Sequence, residues 1–284
     1  MFVSVPFAAR GVGAVGALSG LPAPVVALFA AVTVLGNPLV LFVALSLLYW
    51  RPPPVAAEPR RAIAAVVALG LAAAALTFAL KGLFALPRPP GSPESGYGFP
   101  SGHALGSTVV YGGAALLFDR FDRRYAVAAA VVVLVALSRL VLGVHYLVDV
   151  VAGVAVGAAV LAAVVAFDLR RPARAFGVAA ALGGLALAFA ASPEQAVDAA
   201  AVAGGTVGGG LAWLTGGDET GPVPFPAVAA ALVVGMSLWA LPARLGAPLP
   251  VVAVTSGVAV ALVVGLPRLV VHVRGAKEGA GSAG

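Results

Sequence analysis

Long apolar runs dominate this chain, and their length decides what it can fold into. Crossing a hydrocarbon layer of ~30 Å takes roughly 20 helical residues. Within that layer each backbone N–H and C=O needs a partner inside the protein, which helices supply from their own residues. Between its charged and Pro/Gly breaks the sequence offers nine such stretches: 25–50, 62–84, 101–118, 125–142, 145–167, 174–191, 197–215, 225–242 and 247–271. Only 10% of the 284 residues are charged and 61% are hydrophobic, against about 25% charged in an average soluble domain. So few charges cannot cover a globule. The expected fold class is all-α: a polytopic transmembrane helical bundle of about nine spans.

The breaks carry further information. "GNP" at Gly36 to Pro38 is expected to break the first stretch, leaving residues 1–35 as an interfacial or re-entrant segment before a span; two complete spans are the alternative. The opening "MFVSVPFAARGVGAVG" has no basic region followed by an unbroken apolar core, so no cleaved signal peptide is expected. Basic residues cluster after the first, third, fifth and ninth stretches: Arg51, Arg60 and Arg61; Arg120, Arg123 and Arg124; Arg170, Arg171 and Arg174; and Arg268, Arg274 and Lys277. With nine alternating spans these clusters share one side, which the positive-inside bias makes cytoplasmic. The net charge of +6 is thus spread over loops rather than gathered into a groove, and no nucleic-acid partner is expected. Cysteine is absent, which excludes disulfides, thiolate nucleophiles and Cys-ligated metals.

Three polar stretches interrupt the apolar pattern, and all fall on the other side of the membrane. "KGLFALPRP" places Lys81 and Arg88 near one helix end. Taken alone, both suit cations whose stems lie along apolar surface while their heads reach headgroups. "FPSGH" (residues 99–103) reads as a turn into a helix, with Ser101 as N-cap and His103 in the first turn, where free N–H groups attract an anion. Taken alone, His103 suits a structural histidine. "SRLVLGVHYLVD" carries Arg139, a planar fork for phosphate oxygens. It also carries His145 and Asp149, four apart and expected to share a helix face. A carboxylate there fixes the imidazole tautomer and frees the other nitrogen as nucleophile or base. Together the stretches supply three cations, two imidazoles, a carboxylate and a helix N-terminus, the inventory for binding a phosphate and transferring it through a histidine. There is no aspartate cluster for magnesium and no HExxH spacing, so neither metal nor cofactor is expected.

"K-x6-RP" (Lys81 to Pro89), "PSGH" (Pro100 to His103) and "SR-x5-H-x3-D" (Ser138 to Asp149) resemble the three-part signature of the type 2 phosphatidic acid phosphatase superfamily, in order and with no motif position substituted. The resemblance implies a helical membrane bundle with its site at the extracytoplasmic face of the cell membrane. It implies that His145 attacks phosphorus, that Asp149 orients His145, and that His103 protonates the leaving group and then activates water. Lys81, Arg88, Ser101, Gly102 and Arg139 are implied to bind the phosphate. The activity implied is a metal-independent phosphoric monoester hydrolase acting on lipid phosphates or pyrophosphates through a phosphohistidine. A lipid phosphotransferase and a non-enzymatic translocator of anionic lipids are the alternatives. The translocator needs no nucleophile, orienting carboxylate and acid together.

The resemblance covers about residues 36 to 168, within an expected catalytic core at 36–173, and the chain departs from the family in length. Residues 174–272 add helices that the signature does not address. Glycines such as those of "AGGTVGGG" (203–210) are expected there for close helix packing in lipid. Glu94, Ser95 and Tyr97 are expected in an exposed polar loop, with contact to a substrate headgroup as the alternative; His272 is expected as an interfacial residue, and 273–284 as a flexible tail.

Overall fold

The computed structural model describes residues 21–216 and 223–281, the last eight of these by backbone alone. Residues 1–20 of the expected N-terminal segment lie outside them. The described residues form ten α-helices and no strand. Ala23–Val32 (α1) passes through a 3-10 turn at Thr33–Gly36 into Pro38–Trp50 (α2). Then come Pro59–Phe84 (α3), Gly102–Leu117 (α4), Arg124–Val141 (α5), Leu147–Ala166 (α6), Pro172–Ala188 (α7), Pro193–Leu214 (α8), Phe225–Arg244 (α9) and Leu249–Gly281 (α10).

Each of the nine apolar stretches becomes a helix or a broken helix, but the lengths differ. Six are long and apolar enough to cross a membrane: α3, α5, α6, α8, α9 and α10 as far as Val273. The pair α1–α2, bent by 52°, makes a seventh if it counts as one span. The remaining two, α4 and α7, have 16 and 17 residues, short of the roughly 20 a full crossing takes. The chain is an integral multi-pass membrane protein. The bend falls at Asn37, whose side chain accepts from Leu39 N at 3.0 Å and Val40 N at 3.3 Å, with Pro38 at the first helical position. An Asn cap followed by proline starts a helix in a new direction. Helical backbone of α10 runs on into the expected tail as far as Gly281.

Helix α3 lies at the centre. It packs against α4 and α7, with further contacts to α2 and α8. Two thirds (67%) of its apolar window is buried, against 28% for α5 and for α6. Alanines explain this, because small side chains let several neighbours approach one helix. Beyond α3 the bundle continues from α7 to α8, from α8 to α10, and from α10 to α9.

Two local devices join α10 to the rest. Pro267 has no N–H to give Val263 O four residues back, and that carbonyl accepts instead from Trp50 Nε1 at 2.7 Å. Tyr49 donates to the next carbonyl, Val264 O, at 3.1 Å. On α8, a Cβ at Gly204 would lie 1.9 Å from Ala253 O, and one at Gly208 would lie 2.0 Å from Gly257 O. The glycine run therefore lets α8 and α10 touch backbone to backbone, as its sequence led us to expect.

Candidate active site

The three polar stretches converge at one end of the bundle, formed by the C-termini of α3 and α5 and the N-termini of α4 and α6. It is the end of α3 away from Arg60 and Arg61. Small residues bring the elements together. A Cβ at Gly153 of α6 would lie 2.7 Å from Ser101 O, and one at Gly102 would lie 2.9 Å from Thr77 Cγ2 of α3. The PSGH turn is thus clamped between α3 and α6, and Ser101 N donates to Asp149 O at 2.9 Å.

Ser101 caps α4, accepting from Ala104 N at 3.5 Å, and is fully buried. Gly102 and His103 open the helix. The His103 ring lies under the 3-10 turn, so that a Cβ at Gly36 would be 3.3 Å from its Cδ2. Burial drives the His103 imidazolium down to about 3; the Arg139, His145 and Lys81 charges add to this and Glu94 works against it.

His145 and Asp149 meet, but not on one helix face. His145 precedes α6, and Asp149 sits in its first turn, where Oδ2 accepts from Tyr146 N at 3.0 Å. The i, i+4 spacing thus works across a helix start: the carboxylate caps α6 and faces the histidine in the same pose. His145 Nδ1 lies 3.4 Å from Asp149 Oδ2, long for a hydrogen bond; such contacts are often long in unliganded sites. Both residues are almost wholly buried, at 1% and 0% exposure.

The tautomer follows from the other nitrogen. Arg88 Nη1 is 3.2 Å from His145 Nε2. A guanidinium only donates, so Nε2 holds a lone pair and the proton sits on Nδ1, facing Asp149. Burial drives the His145 imidazolium down to about 4; Asp149 works against this, while Arg88, Arg139 and Lys81 add to it. The ring is neutral near pH 7, with its free nitrogen directed at the arginines.

Arg88 also donates to Val144 O and to Ser95 O, each at 3.0 Å. Arg139, 1% exposed at the end of α5, donates to Thr33 Oγ1 at 2.8 Å. Glu94 bridges the two arginines. Its Oε2 is 3.0 Å from Arg88 Nη1, and its Oε1 takes a close hydrogen bond from Arg139 Nη2. Burial alone would raise the Glu94 pKa, but the Arg139 hydrogen bond and the Arg139 and Arg88 charges hold it below the ordinary carboxylate range.

All eight expected site residues therefore gather at this end. Two partners escaped the sequence reading. Glu94, for which an exposed loop is the commoner expectation and a headgroup contact the alternative, instead lies between the arginines. Thr33, in the segment before the bend, is 106 positions from the arginine it accepts from. The charge balance signals Glu94, since it is the one carboxylate between the first two motifs; nothing local signals Thr33. His272 lies apart from these elements on α10, with Nδ1 3.2 Å from Arg268 O.

Helices outside the motifs reach the back of the site. Gln195 Nε2 of α8 donates to Phe78 O at 2.7 Å, one turn before Lys81. Asp198, one turn further along α8, acts on the Lys81 charge.

Residues 61–173 match the family model of the PAP2 superfamily. This stretch, from the first turn of α3 to the start of α7, is a PAP2-superfamily domain, consistent with the type 2 phosphatidic acid phosphatase resemblance and with phosphatase-type activity on phosphate esters. No curated protein and no solved structure gives a significant match to the chain.

Proposed function

We propose, on the premise of that PAP2-superfamily domain, that the chain is a membrane phosphatase hydrolysing phosphomonoester or pyrophosphate groups of lipids through a phosphohistidine on His145. The observation that carries this reading is the His145 ring. It is buried and neutral, with Nδ1–H toward Asp149 and the Nε2 lone pair among the phosphate-binding cations. A histidine that merely recognised an anion would gain nothing from this tautomer; a nucleophile requires it.

In the proposed reaction Nε2 attacks phosphorus, the bond to the ester oxygen breaks, and His103, which takes up a proton as the anionic phosphate group binds beside it, gives that oxygen its proton. Asp149 stabilises the positive ring that forms. Water then attacks phosphorus, its proton passes to His103, the phosphorus–nitrogen bond breaks, and inorganic phosphate leaves. Lys81, Arg88 and Arg139, with the Ser101 hydroxyl and the Gly102 N–H, hold the non-bridging oxygens, whose charge persists through the transition state. These steps use protein groups alone, so the proposed enzyme works without metal. The Arg clusters at the opposite helix ends support a site facing the extracytoplasmic side of the cell membrane. A site at the ends of membrane-length helices supports substrates whose tails stay in lipid.

The test is phosphate release from long-chain phosphatidic acid by the purified protein in detergent with a chelator present. His145→Ala is expected to abolish release and vanadate to inhibit the parent protein. Release by His145→Ala at the parent rate overturns the mechanism, and release that requires added divalent metal overturns the metal-free reading.

A further inference from the structure

We infer that the helices beyond the family domain complete a binding site for the hydrocarbon chain of the substrate, in a cavity that starts beside the phosphate cradle. The inference rests on the phosphatase reading for the head of the substrate and adds where its tail lies.

The cavity holds about 240 Å³, and its lining steps along several helices in one direction. Along the 3-10 turn and α2 it runs from Gly36, where a Cβ would lie 3.3 Å from His103 Cδ2, to Trp50; on α3 from Thr77 to Val67; on α4 from Gly102 to Val110. The first residue of each pair lies at the site and the second lies deeper in the bundle. Helix α2, of 13 residues, gives the cavity a length of about 20 Å. A headgroup needs no such depth; an extended chain does.

The walls fit hydrocarbon. The Ser46 and Thr77 hydroxyls in the lining turn back to carbonyls of their own helices, Phe42 O at 2.7 Å and Ala73 O at 2.8 Å. Among the described residues, Asp198 is the one charged group in the lining, and it stands at the site end beside Lys81. A space this dry excludes sugars and peptides, whose polar groups would go unpaired. The far wall is made by Gly205 of α8, Gly235 of α9 and Val260 of α10, all outside residues 61–173. The family domain by itself leaves that side open. The occupant is therefore the chain of the phosphate ester held at His145, continuous with the cradle at Gly36 and Gly102.

Gly235 offers a clean probe, because its Cβ direction is nearly empty: the nearest atom is Ala259 O at 3.9 Å. Gly235→Trp fills the cavity with little backbone conflict. Phosphate release is compared between dioleoyl phosphatidic acid and p-nitrophenyl phosphate, which has no chain. The expected result is at least about a tenfold fall in kcat/KM for the long-chain substrate, with the soluble ester unchanged within about twofold. Equal losses on both substrates, or no loss on either, overturn the chain site. If the parent protein hydrolyses neither substrate, it is the phosphatase reading that fails.

A second measurement holds without turnover or a folded Gly235 variant. Trp50 lines the cavity and is fully buried, so bulk lipid does not reach it. With Trp213 and Trp239 replaced by Phe, a long-chain alkyl phosphate brominated along its chain is expected to quench Trp50 in a saturable way. The same chain as a brominated neutral diacylglycerol is expected to quench weakly. Equal quenching by both marks a bilayer lipid as the occupant and overturns the substrate assignment; no quenching by either overturns the site.

Discussion

The family domain and the helices after it are both apolar, yet they are held together by different means. At the site end of the domain, side chains do the work: Arg139 reaches Thr33 and Glu94, Arg88 reaches Val144, Ser95 and His145, and Asp149 caps α6. In the later helices it is mostly backbone proximity, with Gly204 and Gly208 pressed on Ala253 and Gly257. Lipid tails are as apolar as leucine, so helices in a bilayer gain little from hydrophobic contact and associate through polar links or close packing. The domain uses the costlier polar means where chemistry needs it, and the extension uses the inert one. Helix α9 takes this to the limit, with 11% of its apolar window buried.

The largest expected effect tests whether the chemistry belongs to the domain alone. Asp149→Asn keeps the size of the side chain but no longer favours the Nδ1–H tautomer. A fall in kcat of about 10²- to 10⁴-fold is expected, measured as phosphate release. The parent pH profile sharpens the point. A His145 pKa near 4 leaves the nucleophile unprotonated as pH falls through 6.5, where a solvated histidine would already gain its proton. Activity governed by His145 is expected to hold through pH 6 and to decline only as pH approaches 4. An acid limb centred near 6.5 would assign that limb to another group.

The next effect belongs to the extension and should appear in stability rather than chemistry. Gly208→Leu places a side chain against Gly257 O, and overpacking of this kind costs about 1–3 kcal/mol or more. A lower melting temperature in detergent is expected, with the pH profile of the remaining folded protein unchanged. Gly184→Leu on α7 is the control, since a Cβ there meets nothing within 4 Å. Equal destabilisation by both variants would remove the backbone-packing account of α8 and α10.

A smaller effect returns to the domain. On the proposed reading a phosphate takes the place of the Glu94 carboxylate between Arg88 and Arg139, and a tethered competitor weakens every entering anion by one common factor. The carboxylate has room to leave: it is half-buried, and Gly91 and Gly96 flank it with φ of +79° and +74° and open space at Cβ. Glu94→Gln is expected to lower KM and the inhibition constants for vanadate and orthophosphate by about the same factor, near tenfold, with kcat little changed. A rise in all three would make Glu94 a clamp that holds the arginines in place instead.

What was legible in the sequence follows the same division. Lys81, Arg88, Ser101, Gly102, His103, Arg139, His145 and Asp149 stood out because ionisable and capping residues are rare in apolar runs, and their helix-end positions set their convergence. The bend at Asn37 and the packing of Gly204 and Gly208 were legible for equally local reasons. Thr33 was not, because an ordinary residue in an apolar helix gains its meaning only when the bent pair folds over α5. The cavity was illegible too. Apolar residues on six helices line it, and apolar sequence does not tell a residue facing lipid from one facing a groove.

The smallest effect concerns the electrostatic link from Asp198 of the later helices to Lys81 of the domain. Asp198, on α8, is more than one third exposed, so solvent screens its pull on Lys81. Removing that negative charge leaves the cradle more positive. Asp198→Asn is therefore expected to tighten orthophosphate binding and lower KM by about twofold at low salt, fading as ionic strength rises. Glu194→Gln, four residues earlier on the same helix and fully exposed, should change neither. A double-mutant cycle decides whether the link runs through Lys81: in a Lys81→Met background the Asp198→Asn effect is expected to vanish. Its survival there would mean that α8 acts on the whole cradle through its field, and that the extension is electrically part of the active site rather than only its wall.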